Sequence, residues 1–172
     1  MLEGDRGQEV IMTAIDELLR RHELGPDHRA PEVPTPVPSL HLAVVTCMDA
    51  RIKVFDVFGL THGEVHILRN AGGRATGDAI RSLVVSTHLL GTREIGVIHH
   101  TDCGLEGKTD EEIAQRTGVS GMEFLAFANV EESVAHDVHV VRACGHMPAG
   151  VVVWGAVYDV NTGEVRVVAH PD

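Results

Sequence analysis

The sequence predicts an α/β fold: a mainly parallel five-stranded sheet with helices on both faces and the last strand antiparallel. Three observations lead there. Five short aliphatic runs, rich in β-branched residues, recur along the chain. Helical patterns separate the first four, the alternation that joins parallel strands by crossovers. Only the turn Asn161-Thr-Gly163 separates the last two, so they pair back as a hairpin.

Taken in order, Gln8 to Glu23 carries Val10, Ile11, Ala14, Ile15, Leu18 and Leu19 at helical spacing, an amphipathic helix. Gly25 to Pro38 follows with five of the seven prolines, and proline neither continues a helix nor donates to a ladder. Residues 1–38 therefore read as a helical arm and proline-rich connector, and 39–172 as the α/β domain. The arm either packs on a neighbouring subunit or folds back on its own domain.

Leu40 to Thr46 is the first predicted strand. Val54 to Phe58 is a short helix stopped by Gly59, and Glu64 to Arg69 the second strand. The glycines of the following loop, Asn70 to Gly77, can let backbone approach a site. Asp78 to Leu90 is a long helix ended by Gly91, and Glu94 to His99 the third strand. Thr109-Asp-Glu-Glu112 has capping-box form and starts a short helix; Asn129 caps another carrying Val130, Val134, Val138 and Val141. Gly150 to Tyr158 and Glu164 to Ala169 complete the sheet.

Composition narrows the function classes. Lys and Arg total 14 against 25 Asp and Glu, a formal charge of -11 that repels phosphate backbones and argues against nucleic-acid binding. No stretch approaches the roughly 20 apolar residues of a membrane span. The first residues lack a basic segment followed by an apolar one, so no secretory signal is expected. Three cysteines are too few for a disulfide framework and point to a reducing, cytoplasmic setting.

Two of the predicted strands deliver chemistry at their C-terminal ends. The first runs into Cys47-Met-Asp-Ala-Arg51 and the third into His99-His-Thr-Asp-Cys103. In open parallel sheets, ligands bind beyond those ends, where strand order reverses. If the first and third strands are neighbours there, Cys47, His100 and Cys103 converge. Thiolate and imidazole suit Zn²⁺, and three protein ligands leave one position for water or substrate. An Arg fork holds a carboxylate through two parallel hydrogen bonds, so Arg51 would keep Asp49 off the metal; released, Asp49 would become its fourth ligand. The blander reading makes the cysteines and histidine core residues and Asp49–Arg51 a loop ion pair. His99 should point away from its neighbour, Asp102 reads as a turn or supporting residue, and Cys144 as a buried bystander.

Cys47-x-Asp49-x-Arg51 with His100-x-x-Cys103 resembles the β-class carbonic anhydrases, and Arg69-Asn-Ala-Gly-Gly73 also resembles their sequence. The similarity is strong from about Leu40 to Leu105, and the length and the His-Thr-Asp-Cys-Gly form resemble the compact branch of that family. The resemblance implies zinc-dependent hydration of CO2 to bicarbonate and a homodimer or dimer-derived tetramer. By position it makes Cys47, His100 and Cys103 the ligands, and Asp49 with Arg51 the catalytic pair. Two alternatives stand beside it. One is a related zinc hydrolase acting on COS or CS2; the other is a regulatory zinc protein whose site Asp49 keeps closed.

Overall fold

β-Branched side chains crowd a helical turn but pack well on a pleated surface, and the Val- and Ile-rich runs become strands accordingly. The computed structural model describes residues 14–24 and 35–171. The chain divides into two compact units, residues 1–32 and 33–172. The first contains α1 (Ala14–Leu24), on which Ile15, Leu18 and Leu19 are exposed. Residues 8–13 of the expected helix, and the proline-rich stretch as far as Pro34, lie outside the described residues. In the second unit Pro38 is buried, and Pro36 offers its carbonyl to His66 Nε2 at 2.8 Å.

The second unit runs β1 (Leu42–Cys47), α2 (Val54–Phe58), β2 (Val65–Asn70), α3 (Gly77–Leu89), β3 (Glu94–His100), α4 (Asp110–Thr117), α5 (Val130–Arg142), β4 (Val152–Tyr158) and β5 (Val165–Ala169). The sheet order is β2-β1-β3-β4-β5, parallel up to β4 and antiparallel only at the β4–β5 hairpin. The expected fold class is the one found. Crossovers leave β1 toward β2 on one side and return to β3 on the other, so strand order reverses between β1 and β3.

Alternation along each strand assigns the helices to faces. His66 Nδ1 meets Ser86 of α3 at 2.8 Å, while Ile67 and Arg69 share a hollow with Val54 and Phe55 of α2. Gly155 of β4 lies in register with Val97, Val45 and Leu68, on the His66 face. A Cβ there would fall 2.4 Å from Val134 and 2.7 Å from Val138, so α5 lies against the same face as α3. The core sits in that layer: Ala43, Val45, Ile95 and Val97 from the sheet, Leu83 from α3, and Val134, Val138 and Val141 from α5. Both expected caps form. Thr109 and Glu112 make a complete capping box on α4, and Asn129 accepts from the Glu131 and Glu132 amides on α5. Each such cap contributes on the order of 1 kcal/mol.

Candidate active site

The β1–β3 ladder ends at Thr46 and Ile98, and the metal-competent side chains come just beyond it. Cys47 closes β1, His100 closes β3, and Cys103 follows on a turn. Their ligand atoms all lie within 4.8 Å of one another, and the three residues are 5%, 0% and 6% exposed. His100 Nδ1 lies 2.9 Å from the Thr101 carbonyl. A carbonyl only accepts, so Nδ1 carries the proton and Nε2 presents its lone pair. That Nε2 is buried with no hydrogen-bond partner. A buried nitrogen lone pair facing two sulfurs, with the other ring nitrogen held by a carbonyl, is how a metal-binding histidine is oriented. The donor set suits Zn²⁺.

Proton affinities in the pocket are displaced in opposite directions. The Cys103 thiol, donating to Cys47, brings the Cys47 thiol down to about 4; burial opposes this, and His100 and the Asp49 and Gly72 amides reinforce it. The same hydrogen bond, then burial, pushes Cys103 well above the ordinary thiol range. Burial pulls His100 down, but the Cys47 sulfur outweighs it and the imidazole pKa is raised. One thiol of the pair is thus made acidic and its neighbour is kept protonated.

Asp49 stands beside this group, Oδ2 3.9 Å from His100 Nε2. Arg51 grips its carboxylate twice, Nε on Oδ1 at 3.0 Å and Nη2 on Oδ2 at 2.7 Å. That grip, with the Arg51 amide on Oδ1, holds the carboxyl well below the usual range. A tight turn brings them together. The Ile52 amide bonds to the Asp49 carbonyl and the Arg51 amide to the Asp49 side chain, so the chain turns and Arg51 folds back. Arg51 also reaches the other loop, Nη1 on Asp102 Oδ2 at 2.8 Å and Nη2 on the Asp102 carbonyl at 2.9 Å. Arg69 secures the turn from β2 by donating to the carbonyls of Cys47 and Asp49.

Behind Cys47 lies the 3-10 turn Ala71–Gly73. Asn70 braces it, its side chain bonding both the amide and the carbonyl of Arg74. Arg74 in turn binds Asp137 of α5 through Nε at 2.7 Å and Nη2 at 3.2 Å, and donates to the Leu125 carbonyl. His99 Nε2 lies 3.1 Å from the Gly73 carbonyl and 3.3 Å from Asp137 Oδ2. Burial alone raises the Asp137 pKa, but His99 and Arg74 overcome it and hold the carboxyl below its ordinary value. This ion pair is 8% and 4% exposed and anchors the turn that offers its Gly72 amide to Cys47.

The structure therefore gathers Cys47, His100, Cys103, Asp49 and Arg51 in one place, with His99 on the opposite side of the sheet from His100. A hollow of about 270 Å³ opens there, lined by Cys47, Asp49, Gly72, Cys103 and Leu105 among others. Larger hollows, such as that of about 480 Å³ beside Asp159 and Arg166, gather no comparable donors among the described residues. Cys144 is a half-buried free cysteine outside the group. Sequence reasoning did not find the roles of Arg69, Arg74 and Asp137. One signal was present for the last: a carboxylate on the apolar stripe of Val134, Val138 and Val141 demands a buried partner.

Comparison with known proteins agrees with this geometry. A family model described as carbonic anhydrase matches residues 42–122. Beta-carbonic anhydrase 1 of Mycobacterium tuberculosis (strain ATCC 25618 / H37Rv) is 37% identical over 161 residues, covering 90% of this chain and 98% of the relative. A carbon disulfide hydrolase of Acidithiobacillus thiooxidans is 32% identical over 150 residues, 73% of this chain and 75% of its own. The crystal structure of a carbonic anhydrase from Streptococcus mutans superimposes with a TM-score of 0.79 at 40% identity, covering 92% of this chain and 99% of that one. The relatives, the fold and the paired motifs at the ends of β1 and β3 lead to one conclusion: the chain belongs to the β-class carbonic anhydrases.

Proposed function

We propose that this chain catalyses the reversible hydration of CO2 to bicarbonate and a proton, with Zn²⁺ held by Cys47, His100 and Cys103. One observation carries the reading: two sulfurs and an unpartnered imidazole nitrogen converge in a buried pocket, beside a carboxylate held by an arginine. Zn²⁺ would supply there the Lewis acidity that makes water a competent nucleophile near neutral pH. The rest falls to the chain. Asp49 stays ionised and offers Oδ2 as a hydrogen-bond acceptor that orients the incoming water. Its depressed pKa makes it a weak base, so a proton reaching Oδ2 passes on to buffer. Arg51 keeps that carboxylate from joining the ligand set; without the grip, Asp49 turns inward and closes the site. Leu105 gives the hollow an apolar wall beside the two sulfurs.

Hydrolysis of CS2 or COS is the second reading, favoured by the carbon disulfide hydrolase among the relatives. The deciding measurement is stopped-flow CO2 hydration by zinc-loaded protein, with COS and CS2 assayed in parallel. Hydration at the uncatalysed rate would end the first reading, and turnover of CS2 alone would install the second.

A homodimer or dimer-derived tetramer belongs to the same proposal, with residues 1–38 as its arm and 39–172 as its zinc domain. The apolar Ile15, Leu18 and Leu19 exposed on α1 support it, and removal of residues 1–36 should weaken oligomerisation, read as a shift of the sedimentation profile toward the monomer. A cytoplasmic setting fits three free cysteines. No helix among the described residues is long and apolar enough to cross a membrane.

A further inference from the structure

The two loops that carry the metal-competent residues have little backbone to hold them together. Direct β1–β3 pairing stops at Thr46 and Ile98, short of Cys47, His100 and Cys103. Past that point Arg51 spans the gap. Its Nε and Nη2 hold Asp49 on its own loop, and its Nη1 and Nη2 hold the carboxylate and carbonyl of Asp102 on the other. Asp102 adopts a left-handed conformation, φ 56°, which an L-residue enters at a cost. Asp and Asn reach this region more readily than most because their side chains bond the local backbone. Here the Asp102 carboxylate accepts from Arg51, fifty-one positions away in the chain. The left-handed turn aims a side chain and a main-chain oxygen of one residue at the same guanidinium, between His100 and Cys103.

We propose that Asp102 is a positioning residue. Through Arg51 it straps the Cys47–Arg51 turn to the His100–Cys103 turn, fixes the spacing of the two sulfurs, and keeps the guanidinium seated on Asp49. The inference rests on the assignment of Cys47, His100 and Cys103 as zinc ligands. Asp102 touches no ligand atom in this role. It acts because an arginine held on both sides cannot follow Asp49 inward.

The measurement is the rate at which stoichiometrically loaded protein gives up zinc to a chromogenic chelator. It is made on the unaltered chain, Asp102→Ala, Asp102→Asn, Arg51→Ala and the Arg51→Ala/Asp102→Ala double variant. Asp102 is 73% exposed and Arg51 46%, so the strap has the strength of a solvated ion pair. Release from Asp102→Ala should be about three- to fivefold faster, the most that a solvated pair of up to about 1 kcal/mol supplies. Asp102→Asn, which tolerates the left-handed turn and still accepts from Nη1, should recover most of the original rate. Once Arg51 is gone, replacing Asp102 should change release no further, which a merely structural aspartate would not satisfy. Thermal unfolding of zinc-free Asp102→Asn should stay within a degree or two of the original, because asparagine tolerates the left-handed turn and the site is exposed. Unchanged release from Asp102→Ala, or additive effects in the double variant, overturns the strap. Loss of zinc-binding stoichiometry in the unaltered chain, or full retention in Cys103→Ser, instead overturns the ligand assignment beneath it.

Discussion

Gly73 sits where the turn behind the pocket presses against β1, and replacing it with alanine tests that contact directly. A Cβ at this position would lie 2.9 Å from the Cys47 amide nitrogen, 2.9 Å from the Thr46 carbonyl carbon and 3.2 Å from His99 Cδ2. The first two atoms are backbone and have no rotamer to escape into. Gly73 also has φ +71°, so alanine bears a left-handed penalty of about 1–2 kcal/mol before any collision. Overpacking adds about 1–3 kcal/mol. Gly59 separates the two effects: its φ is +61° and nothing lies within 4 Å of a Cβ there. Gly59→Ala should lose only the backbone component. At about 2–4 °C per kcal/mol for a chain of this size, Gly73→Ala should melt several degrees below Gly59→Ala. The collision falls on the residue that bears a ligand sulfur, so Gly73→Ala should also retain less zinc by elemental analysis while Gly59→Ala retains it fully. Equal melting points and equal zinc contents would refute the argument.

Cys103→Ser should purify without stoichiometric zinc, since a hydroxyl replaces a thiolate in a three-donor set; full metal content by elemental analysis would remove Cys103 from it. Arg51→Ala should still load zinc yet turn over more slowly, because Asp49 is released to occupy the open position; unchanged stopped-flow rates would dismiss the latch. Asp137→Ala leaves Arg74 buried and unpaired, and should cost about 3–5 kcal/mol in urea unfolding. A loss under 1 kcal/mol would show that water reaches Arg74. Asp49, Asp110, Asp137 and Asp159 are all held below the ordinary carboxylate value when folded. Their contribution is therefore present above the unfolded pKa and vanishes as pH falls through the folded ones, so stability should decline below about pH 4. Urea midpoints that stay level down to pH 3 would contradict it.

How much of this was legible in the sequence depended on how far apart the partners lie. The strands were readable because β-branched runs and their spacing are local signals, and the parallel order followed from the helices between them. The ligand trio was readable because two cysteines and a histidine fell just past two such runs. The manner in which Arg51 meets Asp49 was not. The Asp49 side chain captures the Arg51 amide and bends the chain, a turn that the spacing of the two residues does not announce. The Arg74–Asp137 pair spans sixty-three positions, and no periodicity within either segment names its partner. The aspartate among the valines of α5 signalled that some cation must be buried there. Three-dimensional packing alone chose Arg74, through the turn that Asn70 braces.

His99 and His100 are adjacent in β3, yet they look out from opposite surfaces of the sheet. One belongs to the ion pair beneath α5 and the other to the ligand trio, so a single strand sets the register of both. Adding or deleting one residue upstream within β3 would exchange their orientations. The imidazole meant for a cation would face Asp137, and the one meant for Asp137 would face the sulfurs. Fold anchor and reactive centre would fail in one event, whereas loops that change length beyond Phe127 leave the register untouched. Variation in related chains should accordingly gather in those loops, with the length of β3 held constant.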